Sequence, residues 1–470
     1  MRALAFAFTF AFTFTSLARA ETRAGYGGAA QGALASAPIS LDPLSPSLGD
    51  QEVAALVFDT PFRIDATGQP RASLAISLDP PSPAAPQAEG LLPQARARLK
   101  IRTDVRFHDG TPVRAADVAA SLQRAVREPG GWSLGPVRAA RVVADDTVEL
   151  ELSRPAPDLA LLLSTPAAAI TPGGAAPTAT RTIGSGPFAV ESAALGGESP
   201  SVKLTANAAC FAGRPYLDAL LLRAFGSRTD EGQCYEVGTL HAARHAASAF
   251  QVGGTRRASV DVESAPALVG FLAIGRALPD DVAGPLRAAL ATGIDRERLR
   301  RLIREPARVS VAPVPYDPAA AKTALERRFP NRLKLTLLVD RSRFDDRALA
   351  DRLLAELSRL GIDLTIESTG AASYQRRLAE QKYELALGVA APPAPNAGLA
   401  ELALLAAVDP AAARATLAHA PATGVPESSL ARVISLYQRG ARVHHAPELR
   451  GLALDWAGRI SWPDVHFRRR

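Results

Sequence analysis

The sequence predicts an α/β protein of two lobes, the first of which is the larger and the richer in strands. The chain has 470 residues, which at about 150 residues per domain allows two or three domains with their own cores. Short apolar alternations and turns dominate the first half and are typical of strands. The second half alternates strand and helix patterns, which is typical of a parallel sheet with crossover helices.

The N-terminus has the anatomy of a secretory signal peptide. Arg2 is followed by an apolar run over residues 3–17 and by small residues up to Ala20. This run is too short to span a bilayer. Residues 1–20 are therefore expected to be a signal peptide cleaved after Ala20, and the rest of the chain to be periplasmic. No cysteine follows the cleavage site directly, so we expect no lipid anchor.

Charge and cysteine content limit the function classes further. The formal net charge is +7, but the arginines are dispersed and no basic run is interleaved with aromatic residues, so we expect no nucleic-acid partner. Cys210 and Cys234 are the two cysteines. In an oxidising compartment such a pair invites a disulfide, worth about 3 kcal/mol for a loop of this size. The sequence leaves open whether the two sulfur atoms meet.

In the first half, strand, turn and helix patterns follow one another between Leu99 and Ala125. Asp109 and Gly110 form the turn between the strand and the helix. The buried strand positions are expected at Leu99, Ile101, Val105 and Phe107, and the helix core at Val118, Leu122 and Ala125. Residues 142–152 are expected to form a hairpin around residues 144–147. Pro- and Ala-rich loops are expected at residues 79–88, 165–180 and 391–398.

In the second half, Asp317 followed by Pro318 predicts a helix start, because Asp caps a helix and Pro suits its first turn. The leucines at 349, 353, 357 and 360 share one helix face, and Gly361 is expected to end that helix. A further short helix is expected over residues 373–380. The strands are expected over residues 333–339, 362–366 and 383–389.

These patterns come in an order that resembles the family 5 extracellular solute-binding proteins, the peptide- and nickel-type receptors of ABC importers. The most informative segment is residues 107–112 (Phe-His-Asp-Gly-Thr-Pro), followed by Ala-Asp-Val at 116–118. The other segments that carry the resemblance are residues 39–43, 57–64, 183–188, 213–218, 286–296, 316–322 and 450–452. Together they cover nearly the whole mature chain.

The resemblance implies a two-lobed periplasmic binding protein fold. Lobe 1 would comprise residues 21–265 together with 438–470, and lobe 2 residues 266–437. It implies a monomer that captures a peptide-like small solute between the lobes and presents it to an ABC permease in the inner membrane. It also implies that the protein is no enzyme and needs no cofactor. Closure of hinged lobes around the ligand is the expected motion.

One departure from the family bears on the ligand. Many peptide-binding members carry an acidic element after the strand corresponding to residues 383–389, and its Asp pairs with the peptide ammonium. Here residues 388–396 contain no acidic residue. An unpaired ammonium in a dry cleft would be costly, so recognition of a peptide by its N-terminus is not expected.

The candidate ligand-binding residues are Phe58, Asp59, Thr60, Phe62, Ser185, Gly186 and Arg308. Residues 58–62 form a loop that, by resemblance, faces the cleft, where Asp59 would meet a cationic ligand; a solvated turn is the alternative. Ser185 and Gly186 would form a tight turn or offer a hydroxyl to the ligand. Arg308 would bind a carboxylate bidentately or lie free on the surface.

Two other function classes remain open on sequence grounds. A non-transporting sensor or scaffold would keep the same fold. An exported metal-dependent hydrolase would use His241 and His245, which a helix would place one turn apart at a spacing suited to a metal. No third ligand is evident nearby, so we expect this pair to lie on a helix surface and assign no metal site.

Overall fold

The computed structural model describes residues 24–80, 82–83, 95–196, 199–245, 257–309, 315–422, 425 and 427–468. The expected signal peptide and most of the expected loop at 79–88 lie outside the described residues. No helix in this described part of the chain is long and apolar enough to cross a membrane.

The first lobe is built mainly from strands. In chain order these are Ala29–Ala33 (β1), Phe62–Ile64 (β2), Pro70–Ala72 (β3), Ala75–Leu78 (β4), Ser82–Pro83 (β5), Ala95–Ile101 (β6), Val137–Ala144 (β7), Thr147–Leu152 (β8), Phe188–Ala194 (β9), Ser201–Ala206 (β10), Ala219–Arg223 (β11), Ala242–Ala243 (β12) and Val260–Glu263 (β13). Its α-helices are Leu48–Val57 (α1), Ala115–Arg127 (α2), Leu159–Leu162 (α3) and Arg228–Glu236 (α4).

The second lobe alternates strands and helices. Its strands are Leu268–Ile274 (β14), Ala307–Val309 (β15), Leu333–Asp340 (β16), Ile362–Thr369 (β17), Leu385–Ala390 (β18) and Val433–Arg439 (β19). Its helices are Asp280–Gly293 (α5), Arg296–Arg300 (α6), Pro318–Arg328 (α7), Phe344–Arg359 (α8), Ala371–Ala379 (α9), Ala397–Ala406 (α10) and Pro410–His419 (α11). The chain then returns to the first lobe through Arg442–His445 (β20), Leu449–Arg450 (β21) and His466–Phe467 (β22).

The first lobe holds two large sheets. One has seven strands in the order β13-β20-β12-β1-β11-β10-β9, and the other has the order β4-β6-β8-β7 with β5 paired to β6. The expected hairpin at 142–152 is confirmed as the antiparallel pair β7 and β8. Along β6 the residues alternate buried and exposed, which is why this sheet packs one face on α2 and leaves the other to water.

The second lobe holds one six-stranded sheet in the order β15-β19-β14-β18-β16-β17. β16 pairs in parallel with β17 and β18, as the alternating pattern predicted, whereas β14 is antiparallel to both β18 and β19. The predicted caps are also present. The Asp317 side chain accepts a hydrogen bond from the Ala320 N–H at the start of α7, and Gly361 has φ +87° just after α8.

The chain passes between the lobes' sheets twice, between Glu263 and Leu268 and again between Arg439 and Arg442. A third connection is made by packing, because α10 and α11 lie against the first lobe. Leu399 and Leu417 belong to the same core as α2 and the five-stranded sheet. The expected two-lobed α/β architecture is therefore confirmed, with one helical pair spanning both lobes.

Hydrogen bonds fix the 107–112 segment to the turn at residues 184–186. Gly110 has φ +84°, and the Asp109 carboxylate accepts hydrogen bonds from the Thr111 N–H (3.0 Å) and hydroxyl (2.6 Å), which closes the turn. The His108 ring accepts from the Gly184 N–H at Nδ1 and contacts the Gly186 carbonyl through Nε2 at 3.0 Å. This tautomer is neutral, and burial lowers the pKa of His108. Two segments that carry the family resemblance are thus bound to each other.

A second set of hydrogen bonds fixes the 39–43 segment. Asp50 on α1 is fully buried, and its Oδ1 accepts the N–H groups of Ile39 (2.8 Å), Ser40 (3.1 Å) and Leu41 (3.0 Å). Leu41 adopts φ +60°, a conformation that a Leu rarely takes without such support. The turn places Asp42 beside Arg124 of α2, where the two form a bidentate ion pair.

One detail differs from the expectations. Residues 241–245 are not helical: His241 precedes the short strand β12, and its Nδ1 accepts from the Gln31 N–H at 3.1 Å. The prediction that the two histidines lie on a helix surface is wrong, because this segment completes the seven-stranded sheet between β1 and β20. The disulfide that the sequence left open is not formed, because Cys210 and Cys234 are both free thiols.

Replacing Asp50 by Ala is expected to lower the free energy of unfolding by about 3 kcal/mol or more, because three N–H groups lose a charged acceptor. Chemical denaturation of purified mature protein measures the change. Asp79→Ala, at an exposed position, is the control and should change stability by less than about 0.5 kcal/mol. An Asp50 variant as stable as that control would contradict the assignment.

Candidate functional site

A cavity of about 700 Å³ lies between the two lobes. We call it the inter-lobe cavity. One wall comes from the first lobe, from residues 43–46 and from the end of α2 with the turn that follows it, 126–133. The other comes from the second lobe, from α9, the end of β18 and the α10–α11 connection. Its volume lies within the range of small-molecule sites in proteins.

The walls of this cavity are largely apolar. Trp132 is half-buried and packs against the cores of both lobes, and Phe271 and Tyr374 face it from the second lobe. The Tyr374 hydroxyl donates to the Leu387 carbonyl at 2.9 Å, so this ring offers the cavity only its apolar body. The polar and charged residues in the lining include Gln51, Ser133, Gln375, Gln381, Arg127, Glu128, Arg276, Glu380, Asp409 and Arg414.

Residues 389–391 and Pro393 form part of the same wall. This is the segment in which the resemblance implied an acidic anchor that the sequence lacks. The structure thus brings the position of the expected anchor to the cavity, where it presents alanine, valine and proline instead of a carboxylate.

Beside the cavity, charged side chains of the two lobes meet in a second region, the ionic interface. Glu52 pairs with Arg244, whose guanidinium also reaches the carbonyl of Ala33 at 3.3 Å. Across the lobes, Arg228 pairs with Asp345 of α8, and Arg439 binds the same carboxylate at 3.0 Å. The cavities left here measure only about 50 and 30 Å³, room for a few waters but not for a solute.

The charged groups of the ionic interface are buried, and their desolvation costs free energy. Burial raises the pKa of Glu52, and Arg244 opposes that shift. Burial also acts on Glu231, but hydrogen bonding and charge from His245 prevail and lower the pKa of Glu231. The His245 Nδ1 lies 2.9 Å from Glu231 Oε2. These are buried pairs whose members depend on each other.

One group of side chains has the donor types for a metal. Ligand atoms of His245, Glu305 and Asp345 lie within 4.8 Å of one another. Arg228 and Arg439 already occupy the Asp345 carboxylate and bring two positive charges, which disfavour a cation. His241 is directed elsewhere and packs edge-on against Phe467, so the two histidines do not act together.

The structure brings most of the sequence-predicted ligand residues together, but inside the first lobe. Phe58 and Phe62 are buried in core clusters, and the Thr60 hydroxyl donates to the Phe62 carbonyl. The fully buried Ser185 donates its hydroxyl to Asp59 at 2.8 Å, and the Gly186 N–H donates to the Val57 carbonyl at 2.9 Å.

Gly184 lies so close to the Val57 carbonyl that an added Cβ would come within 2.0 Å of its oxygen, which explains this glycine in the turn. Arg308 is apart from the group, on β15 of the second lobe, where its Nε donates to Gln438. None of the seven candidates is among the residues that line the inter-lobe cavity. Their role in ligand binding stays a prediction.

The residues that do line the cavity or close the ionic interface escaped sequence reasoning. Trp132, Phe271 and Tyr374 come from segments more than 100 residues apart and have no common motif. The pairing of Arg228 with Asp345 is equally distant. The exception is the segment 388–396, which the resemblance places at the ligand and part of which lines the cavity.

The comparisons with known proteins agree with this architecture. The family model for bacterial extracellular solute-binding proteins, family 5 Middle, matches residues 94–404. This match covers well over half of the chain, and the chain belongs to this family. The class is that of solute-binding proteins, whose members include substrate-binding components of ABC importers. No curated protein sequence matches the chain.

Several solved structures share the fold along nearly the whole chain. A dipeptide-binding protein from Pseudoalteromonas sp. SM9913 in complex with Met-Leu has a TM-score of 0.75 at 15% identity, over 94% of this chain and 100% of its own. MoaA from A. tumefaciens R10 in complex with mannopinic acid has a TM-score of 0.73 at 20% identity, over 95% and 100%. NikA from Brucella suis in complex with Fe(III)-EDTA has a TM-score of 0.67 at 17% identity, over 94% and 100%.

Asp59→Asn is expected to change the pH dependence of stability. Burial raises the pKa of Asp59 to about 6, partly offset by the Ser185 hydrogen bond. The folded state therefore binds more protons than the unfolded state, and this group's contribution falls as pH rises from about 4 to about 6. The variant should lose that fall and be more stable than the wild type by about 2 kcal/mol at pH 8. Asp79→Asn is the control; equal pH profiles for wild type and Asp59→Asn would refute this.

Asp345→Ala is expected to loosen the contact between the lobes, because Arg228 and Arg439 lose their shared carboxylate at a cost of about 3 kcal/mol. Small-angle X-ray scattering should show a larger radius of gyration. Asp351→Ala on the same helix removes an exposed pair with Arg347 and should leave the radius unchanged. If both variants keep the wild-type radius, the ionic interface does not hold the lobes together.

Proposed function

We propose that this protein is the substrate-binding component of an ABC importer that captures its solute in the inter-lobe cavity and presents it to a permease of the inner membrane. The observation that carries the proposal is a cavity of ligand size whose two walls belong to different lobes. A solute that contacts both walls binds the closed arrangement more tightly than the open one. Binding therefore drives closure, and closure is what a permease can recognise.

The proposal includes the export and organisation of the chain. Residues 1–20 are removed after Ala20, and the mature protein acts in the periplasm as a monomer. Lobe 1 comprises residues 21–265 and 438–470, and lobe 2 comprises 266–437. The passage after β13 contains the first of these bounds, and the passage after β19 begins two residues beyond the second. The protein works by binding alone, without catalysis or a cofactor.

The proposed solute is a small peptide or peptide-like molecule with mostly apolar substituents. Structures that share the fold were solved with a dipeptide, a nonapeptide, mannopinic acid and Fe(III)-EDTA. The walls around Trp132, Phe271 and Tyr374 favour apolar groups. Residues 389–393 offer a free ammonium no carboxylate, and the two acidic residues of the second-lobe wall, Glu380 and Asp409, already pair with Lys382 and Arg276. A blocked or cyclic peptide avoids the desolvation cost of such an ammonium.

A second candidate is a non-transporting sensor or scaffold with the same fold. The observation that favours it is the ionic interface, where Arg228 and His245 of the first lobe contact Asp345 of the second. In such a protein the lobes would stay together whether or not a solute is present.

The first test is thermal-shift screening of the mature protein against free and N-acetylated peptides, opines, sugars, amino acids and nickel, followed by calorimetry on any hit. A ligand at one hundred times its Kd should stabilise the protein by about 2.7 kcal/mol. We expect N-acetylated apolar peptides to bind more tightly than their free counterparts.

Ala407→Trp, which fills the cavity, should weaken that binding at least about tenfold, in line with the 1 to 3 kcal/mol cost of overpacking. Ala320→Trp, at an exposed position of α7, is the matched control and should bind normally. No shift with any class of solute in a folded sample would overturn the transport proposal in favour of the scaffold. Equal binding by both variants would place the ligand outside the inter-lobe cavity.

A further inference from the structure

A second large concavity lies apart from the inter-lobe cavity and has a different character. It measures about 760 Å³ and is walled by residues 226–228 of the first lobe and by parts of the second lobe, at the carboxyl end of β16 and near that of β17. Crevices at the carboxyl ends of parallel strands are frequent ligand sites in α/β folds. We call this concavity the arginine groove. Its six arginines are Arg228, Arg301, Arg304, Arg341, Arg343 and Arg347.

Negative charge within the groove is scarce and already engaged. Asp340 is the one acidic residue in its lining; it is buried, and its carboxylate accepts from the N–H (2.9 Å) and the hydroxyl (2.8 Å) of Ser342. Three of the arginines have acidic partners outside the lining. These pairs are Arg228 with Asp345, Arg343 with Asp346 and Arg347 with Asp351.

The other three arginines supply the free charge. Arg301, Arg304 and Arg341 are exposed, and within the described ranges of the chain none of them forms an ion pair. The guanidinium charges also affect one another: burial, and next the charge of Arg304, lower the pKa of Arg228. Like charges gathered in a concave surface create a positive potential that a bound anion would relieve.

Arginine suits one class of anion in particular. Its planar guanidinium donates two parallel hydrogen bonds to the oxygens of a phosphate or carboxylate. Three unpaired guanidiniums around one groove can serve an anion with several charged oxygens, whereas a neutral solute would leave them unsatisfied. The exposed Leu302 between them offers a small apolar contact.

We propose that the arginine groove binds a phosphate-bearing anion of at least two negative charges, held by Arg301, Arg304 and Arg341. The phosphate belongs either to a small soluble molecule or to the headgroup of an anionic lipid. This site is separate from the inter-lobe cavity and does not depend on the solute captured there.

Isothermal titration calorimetry of the mature protein with inorganic pyrophosphate tests the site. The wild type should bind pyrophosphate with a Kd below about 1 mM at low salt, and more weakly as salt rises. The triple variant Arg301→Gln, Arg304→Gln, Arg341→Gln should bind at least about 30-fold more weakly, because each lost contact is a charge-assisted hydrogen bond. Circular dichroism and thermal unfolding establish that the variant is folded.

A second triple variant removes the same net charge elsewhere: Arg96→Gln, Arg141→Gln, Arg332→Gln, all at exposed positions outside the groove. It should bind pyrophosphate within twofold of the wild type. Equal loss in both triple variants would show that net charge, not the groove, attracts the anion, and would overturn the proposal.

Flotation with vesicles that contain cardiolipin, whose headgroup has two phosphates, against phosphatidylcholine alone, distinguishes the two sources. Groove-dependent binding to the cardiolipin vesicles without binding of free pyrophosphate assigns the site to a headgroup. Binding of pyrophosphate without vesicle binding assigns it to a soluble anion. If the wild type binds neither, the proposal is wrong, whereas capture of a solute in the inter-lobe cavity would be unaffected.

Discussion

The buried carboxylate of Asp50 organises the part of the first lobe on which the candidate site depends. By accepting three consecutive N–H groups it supports Leu41 in a left-handed conformation and sets the direction of the chain through Pro43. Two consequences follow. Asp42 reaches Arg124 and ties α1 to α2, and residues 43–46 become a wall of the inter-lobe cavity. The Asp50 side chain thus links α1 to α2 and to the wall of the inter-lobe cavity at residues 43–46.

The interface between the lobes has two regions, one formed by ion pairs and one by largely apolar surface. In the ionic interface, carboxylates and guanidiniums fill the space, and only room for water remains. In the inter-lobe cavity the walls are largely apolar, and the space is of ligand size. The ion pairs of the ionic interface connect the two lobes. The inter-lobe cavity leaves apolar surface that a solute can cover. This division explains how a protein without an acidic anchor at residues 388–396 can still offer a binding surface.

Much of the fold was predictable because local signals and the final structure agree. Asp317 caps α7, Gly361 ends α8, and the turn at Asp109 and Gly110 forms as its residue types require. Where prediction was wrong, the tertiary structure overrode a local spacing. His241 and His245 have helical spacing, yet their segment forms strand β12, because the gap between β1 and β20 in the seven-stranded sheet is filled by extended backbone. For the two cysteines the sequence left a disulfide open, and the structure has both as free thiols.

The sequence by itself determined the α/β class, the order of the elements, the family and the absence of an acidic residue at 388–396, because each of these is written in contiguous residues. The tertiary structure decided where Phe58, Asp59 and Ser185 lie, and which side chains face the cavity. Trp132, Phe271 and Tyr374 meet only when the lobes come together, as do Arg228 and Asp345. Such contacts depend on the relative placement of two lobes, and no local pattern of apolar or charged residues encodes that placement.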